Sequence, residues 1–202
     1  MDPELPETGG FDSDRARAHL GADPVLAAII AREGELSWPP PSRGEPFAAL
    51  ARSVIGQQLS VRAAASIEGR LREVAPQLAP EELAALSPGE LRARGLSWAK
   101  VRTLHALAER VARGLLDFGA LSRADDESVI AALSAVPGVG RWTAEMFLIF
   151  ALARPDVFSW GDAGLRKAVK RLYGSQAGPE VSLAWSPYRS LASRLLWRSL
   201  SF

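Results

Sequence analysis

Cysteine is absent from the 202 residues. That excludes disulfides, thiolate nucleophiles and cysteine-held zinc or iron–sulfur centres. Histidine is scarce, His19 and His105 being the only two, which is too few for an imidazole-rich metal site. No apolar run approaches the roughly 18 residues that a membrane-spanning helix needs. The opening MDPELPETGGFDSD is acidic and polar, where a secretory signal is basic and then apolar. A soluble intracellular chain with no membrane partner is therefore expected. Alternating strand patterns and internal repeats are missing too.

What remains reads as helix. PVLAAIIAREG (24–34) is a short first helix, and PFAALARSVIGQQ (46–58) carries Pro46 in its first turn with Phe47, Leu50 and Val54 on one stripe. Ser60 is placed to cap the stretch that follows it, and Ser87 to cap SPGELRARG, with Gly95 as terminator. SWAKVRTLHALAERVARG repeats Val101, Leu104, Leu107 and Val111 and stops at Gly114. DDESVIAALSAV, RWTAEMFLIFALA, AGLRKAVKRLYG and PYRSLASRLLWRSL complete about ten short helices of an all-α chain. Residues 1–20 and 34–45, the latter with three consecutive prolines, read as irregular. Trp98, Trp185 and Trp197 read as core, Trp38 as packed beside its prolines, and His105 as a satisfied helix-face residue.

Charge is spread unevenly. Residues 1–50 hold nine acids and four bases, whereas between Arg141 and Arg198 nine bases stand against four acids. A locally basic face suits a phosphate backbone; an ordinary solvated arginine-rich surface gives the same count. VPGVGRWTAE (136–145) sharpens the question. Pro137 ends one helix, Gly138 and Gly140 permit angles that other residues avoid, and the next helix opens at Arg141. Amides around Gly138, Gly140 and Trp142 would then lie at a helix N-terminus, where the dipole favours an anion. A tight structural turn between packed helices is the plainer use of such a corner. About 20 residues on, Asp162 stands in DVFSWGDAGLRKAV between a glycine and a helix start, most simply as an N-cap.

Taken in order, VIGQQLSVRAAASI (54–67), LSWAKVRTLHALAERV (96–111), the hairpin and GRWTAEMFLIFALARPDVFSWGD (140–162) resemble the helix-hairpin-helix DNA glycosylase superfamily. Within it they look most like the DNA-3-methyladenine glycosylase II branch of alkylation base-excision repair, from about residue 46 to the C-terminus. The resemblance implies a compact multi-helix glycosylase fold with two helical subdomains and a cleft between them. It places the hairpin at 125–152, the glycosylase domain at 46–202, and a partly irregular segment with one short helix at 1–45.

Residue by residue, the resemblance makes Asp162 the catalytic aspartate. Trp142, Tyr188 and Met146 line the base pocket, and Trp160 belongs either there or to the core. Gln57, Gln58 and Leu59 supply the wedge that fills the place of an extruded base. Gly138, Gly140, Arg141, Trp142 and Thr143 hold DNA phosphate. Main-chain carbonyls of Ser134, Val136 and Val139 are the place of a structural Na+ or K+ in some members; no cofactor is required. Met146 and Ala163 stand where a bacterial relative carries aromatic rings, so a more open pocket is expected. Members that also cut the strand carry a lysine where this chain has Trp142, which implies a monofunctional enzyme. The implied partner is double-stranded DNA containing alkylated bases, and the chain is expected to be a cytoplasmic monomer, nucleoid-associated if bacterial. A non-catalytic DNA-binding hairpin protein, a glycosylase for another lesion and a helical scaffold without nucleic acid are the competing readings.

Overall fold

The computed structural model describes residues 12–33 and 46–201, and the expectations for Trp38 and for 34–45 lie outside them. Among the described residues twelve α-helices run in order: α1 (Ser13–Leu20), α2 (Pro24–Glu33), α3 (Pro46–Gly56), α4 (Val61–Arg72), α5 (Pro80–Ala85), α6 (Pro88–Ala93), α7 (Trp98–Ala112), α8 (Phe118–Arg123), α9 (Asp126–Ser134), α10 (Arg141–Phe150), α11 (Ala163–Tyr173) and α12 (Arg189–Ser199), with a 3-10 helix at Pro179–Trp185. No strand occurs among the described residues. Most starts carry a side-chain cap. Asp12, Ser60, Ser87, Ser97, Asp117, Asp125 and Asp162 each accept an amide of the first turn, the role these short oxygen-bearing side chains fill best.

The chain divides into two compact units, Met1–Pro40 with Pro155–Phe202, and Pro41–Arg154. In the first unit α1 packs on α2, α2 on α12, and α11 on α12. Leu20, Leu26, Ile30, Leu165, Val169, Trp185, Leu195 and Leu196 form its buried core. Asp23 ties three elements together there. Its Oδ1 accepts the amides of Val25 and Leu26 at 2.8 and 3.2 Å. Its Oδ2 accepts Tyr173 Oη–H at 2.8 Å and Trp185 Nε1–H at 3.0 Å.

In the second unit α3 packs on α4, α7 and α10, α5 and α6 on α7, and α9 on α10. Leu50, Val54, Ile55, Leu104, Leu107, Phe147 and Leu148 are buried. Phe118 lies between Phe47 and Phe147, with ring centroids at 6.3 and 5.7 Å.

Several sequence expectations are corrected. Residues 13–20 are helical, not irregular, because Asp12 caps α1 and Ala16 and Leu20, one turn apart, are buried; two apolar positions among charged ones leave no visible period. α8 and the 3-10 helix were not expected, both being too short to show one. Trp98 is not core. It is 52% exposed, since it is the first residue of α7 and lies off the buried stripe of Val101, Leu104 and Leu107. The Arg92 guanidinium sits 5.9 Å from its ring centroid. Trp185 is buried, and His105 bonds the Leu86 carbonyl at 3.0 Å. Among the described residues no helix is long and apolar enough to cross a membrane.

Burial pushes the Asp23 carboxyl up, but hydrogen bonds from Trp185, Tyr173 and the two amides outweigh it and hold its pKa below the ordinary value. Its stabilisation is therefore complete above the usual carboxyl pKa of about 4 and is lost as pH falls through the lower folded-state value. Asp23→Ala removes the cap and strands two donors, at a cost of about 3 kcal/mol at pH 7. In urea unfolding, Asp23→Asn should lose less stability than the parent between pH 7 and pH 3, having no charge there to titrate.

Candidate functional site

The hairpin belongs to the second unit. After α9 the chain turns through Val136 N–H to Leu133 O and Val139 N–H to Val136 O, both at 3.0 Å. Gly138 adopts φ +87, and a Cβ on it would overlap the hydroxyl of buried Thr103 on α7. Gly140 differs from the expectation. Its φ of −96 and ψ of 174 are ordinary extended backbone, and a Cβ there would meet nothing in the chain. It is the N-cap of α10 and offers no side-chain acceptor, so the amides of Arg141, Trp142 and Thr143 open a helix whose cap is glycine. Trp142 is half-buried, and Thr143 and Met146 are buried.

Gln57, at the end of α3, braces this turn. Its Nε2 donates to the Gly138 carbonyl at 3.1 Å and to Thr143 Oγ1 at 3.0 Å. Lys100 Nζ, on α7, donates to the carbonyls of Ile55 and Gln57, each at 2.7 Å, and burial lowers its pKa. Of the three wedge candidates, Gln57 is turned into the hairpin. Gln58 is exposed in a left-handed conformation with φ +56, and Leu59 is exposed beside it.

Arg141 is tied within the protein. Its guanidinium forms a two-pronged pair with Glu127 of α9, at 2.6 and 3.0 Å, and its Nε reaches Glu145 of α10 at 3.0 Å. The Glu127 bond and then Glu145 push its pKa further up, burial opposing. Arg154 pairs with Asp126, Arg189 with Asp156 and Arg198 with Glu33. Part of the basic excess is thus structural.

Asp162, Trp160 and Tyr188 belong to the first unit. Asp162 is half-buried and caps α11, its Oδ1 accepting Leu165 N–H at 2.8 Å and Trp197 Nε1–H at 2.8 Å. The preceding loop is held by Arg166 Nη1, which donates to the carbonyls of Trp160 and Gly161 at 2.9 and 2.7 Å. Trp160 packs beside Phe158 with centroids 6.3 Å apart. Tyr188 is bracketed by Asp156, which takes Ser186 Oγ–H at 2.7 Å on one side and Arg189 Nε–H and Nη2–H at 2.7 and 2.9 Å on the other. Burial pushes the Asp156 carboxyl up, and Arg189 and Ser186 more than reverse it. The His19 ring meets Tyr188 edge-on, 5.5 Å between centroids.

Sequence reasoning missed Asp156, Lys100, Arg166 and the tie between Trp197 and Asp162. Asp156, Lys100 and Trp197 leave no local signal, because their partners lie 30 to 45 positions away; Arg166 reaches back only five and six positions, but nothing in its sequence marks those carbonyls as its acceptors.

Residues 51–184 match the family described as HhH-GPD superfamily base excision DNA repair protein. The chain is 35% identical over 202 residues to a probable bifunctional transcriptional activator/DNA repair enzyme AlkA of Mycobacterium tuberculosis, a match that covers 90% of this chain but 38% of that relative's length. A DNA-3-methyladenine glycosidase from Bacillus halodurans is similar in structure, with a TM-score of 0.79 and 37% identity over 93% of this chain and 89% of that one. The Schizosaccharomyces pombe 3-methyladenine DNA glycosylase Mag1, solved in complex with abasic DNA, aligns with a TM-score of 0.84 and 30% identity over 93% of this chain and 97% of its own.

The two hairpin glycines should part company on substitution. Gly138→Ala meets both a left-handed backbone and the Thr103 hydroxyl and should cost at least about 2 kcal/mol. Gly140→Ala, on extended backbone in open space, should melt within about 2 °C of the parent, a surface-scale change. Thermal unfolding followed by circular dichroism reads both.

Proposed function

We propose a function for this chain from the premise that it belongs to the HhH-GPD superfamily of base excision DNA repair proteins: it is a DNA glycosylase that flips alkylated purines of the 3-methyladenine and 7-methylguanine type out of duplex DNA and hydrolyses their N-glycosidic bond. The observation that carries the reading is Asp162, a carboxylate held at the head of α11 by two hydrogen bonds on one oxygen. An alkylated purine is cationic, so its bond to the sugar is already weak and needs no general acid. Positive charge then develops on the sugar, and a fixed carboxylate stabilises it electrostatically. The same group orients the attacking water. Trp142, Tyr188 and Trp160 offer ring faces to a cationic base, each such contact being worth about 0.5 to 2 kcal/mol. Extrusion comes first, with Gln58 and Leu59, both exposed at the turn after α3, as the wedge.

Phosphate is held by the amides of Gly140, Arg141, Trp142 and Thr143 at the start of α10. The Arg141 side chain braces the hairpin through Glu127 and Glu145. Carbonyls of Ser134, Val136 and Val139 are the donor type that Na+ or K+ takes, and the Val136 carbonyl also accepts the Val139 amide. Such an ion would stiffen the turn without entering the chemistry. Trp142 stands in the place of the lyase lysine, so the product is an intact strand with an abasic site. A monomer acting on DNA in the cytoplasm or nucleoid completes the reading.

Asp162→Asn keeps the size and the cap and should lower single-turnover release of 7-methylguanine from methylated duplex by at least about a hundredfold. Chromatography of the freed bases reads this, and full release by the variant would sink the assignment. Borohydride should trap no covalent protein–DNA adduct. Affinity for undamaged duplex should fall steeply with salt as counterions are released, and Gly140→Ala should weaken it while the fold persists. Binding that is indifferent to both salt and Gly140→Ala would remove the hairpin from the interface.

A further inference from the structure

Asp162 is held from two directions, and only one of them is explained by helix capping. The Leu165 amide lies three residues on and satisfies the start of α11. The second donor, the indole Nε1–H of Trp197, comes from α12, 35 residues away, and reaches the same Oδ1 at 2.8 Å. Space for that approach is made by Gly164. A Cβ on this residue would lie 3.0 Å from Asp162 Oδ1, 3.1 Å from Trp197 Cδ1 and 3.3 Å from Trp197 Nε1. Gly164 is the second residue of α11, a position where glycine is less favourable than alanine by about 1 kcal/mol, and its backbone is not left-handed. Glycine's conformational freedom is therefore not what the position uses. The missing side chain is the gap through which the indole meets the carboxylate.

We infer that Trp197 is a positioning residue for Asp162, and that Gly164 is the notch that admits it; the inference rests on the proposed role of Asp162. The torsion that turns a carboxylate plane is broad and roughly two-fold, and a donor from a second helix narrows it. Two donors on one oxygen, from separate helices, fix the plane. The bond from Trp197 also comes from a neutral group. An arginine or lysine in its place would hold the oxygen equally well but offset the negative charge that has to stabilise a cationic sugar. A preorganised neutral donor leaves the charge in place and spares its reorganisation during the reaction.

The test compares Trp197→Phe, which keeps most of the ring and removes the N–H, with Gly164→Ala, which closes the notch on a helix-favouring residue. Single-turnover release of 7-methylguanine is measured beside affinity for undamaged duplex and melting temperature. Each variant should slow release by about ten- to a hundredfold, the scale of a misplaced catalytic group, with duplex affinity within about twofold, since no phosphate contact changes. The double variant should be no slower than the worse single one, because both remove the same contact. In the parent, the Trp197 indole N–H resonance should move on Asp162→Ala, a readout that survives if either activity variant folds poorly. Full release by Trp197→Phe while Asp162→Asn is inactive would overturn the positioning role and leave the catalytic reading intact. Activity in Asp162→Asn would overturn the catalytic reading itself. Additive losses in the double variant, or an indole resonance indifferent to Asp162, would also overturn the pairing.

Discussion

A helix of ten residues leaves as many amides without intrahelical acceptors at its start as a helix of thirty. Twelve helices among the described residues, most of them short, are therefore governed by how those ends are met. Here the commonest answer is local: serine or aspartate one residue ahead of the helix, as at Ser60, Ser97 and Asp125. Two starts borrow a carboxylate instead. Glu82 reaches back to the Ala79 amide at 3.1 Å, and Asp156, 33 residues away, takes the first amide of α12 at 3.2 Å. The hairpin helix α10 follows neither pattern, for its cap is Gly140, which has no side chain to accept an amide. Asp162 goes the other way, adding an acceptance from Trp197 to its cap. The start of α10 thus lacks the side-chain cap that Ser60, Ser97 and Asp125 supply, and Asp162 accepts a donor beyond its cap.

Helix starts were the most legible feature of the sequence, since cap and first turn are neighbours in the chain and the physics is local. Ser60, Ser87, Gly95 and the hairpin between α9 and α10 were read from a few consecutive residues and lie where expected. Spacing gave the buried stripe of α7 but misjudged Trp98, because being apolar near a helical stripe does not put a first-turn residue beneath it. Glycine was legible only as permission. The sequence does not distinguish Gly138, whose left-handed backbone and contact with Thr103 demand it, from Gly140, whose backbone is ordinary, or from Gly164, where the indole of Trp197 needs the room. Each demand comes from a residue 33 to 35 positions away, and separation of that kind leaves no local trace. The same holds for Gln57, whose partners in the hairpin lie 81 and 86 positions on.

Net charge was the least faithful guide. A count of bases between 141 and 198 does not separate a phosphate-binding face from an ordinary one, and in the structure Arg141, Arg154, Arg189 and Arg198 are engaged by carboxylates and Arg166 by two carbonyls. Guanidinium groups suit this use because their fork matches a carboxylate or a pair of carbonyls. Exposed pairs of this kind contribute little stability individually, about 0 to 1 kcal/mol each. Their larger effect is to fix the relative placement of α9 with α10, and of the segment before α12 with its first turn. An interface built on such a surface leans on main-chain amides for phosphate, which is the contact a glycine-capped helix start provides.

Three half-buried aspartates of the first unit show why one of them suits chemistry and the others suit structure. Asp23 spends both oxygens on the fold, Oδ1 on two amides and Oδ2 on Tyr173 and Trp185. Asp156 also spends both, and its main partner is a guanidinium that cancels its charge. On Asp162, Oδ1 accepts Leu165 N–H and Trp197 Nε1–H, both neutral donors. Two neutral donors on one carboxylate oxygen hold that oxygen without offsetting its charge, as a guanidinium would. Helix capping alone would be served as well by asparagine. The role proposed for Asp162 draws on the charge itself, which capping does not, and the notch at Gly164 admits the indole that holds it.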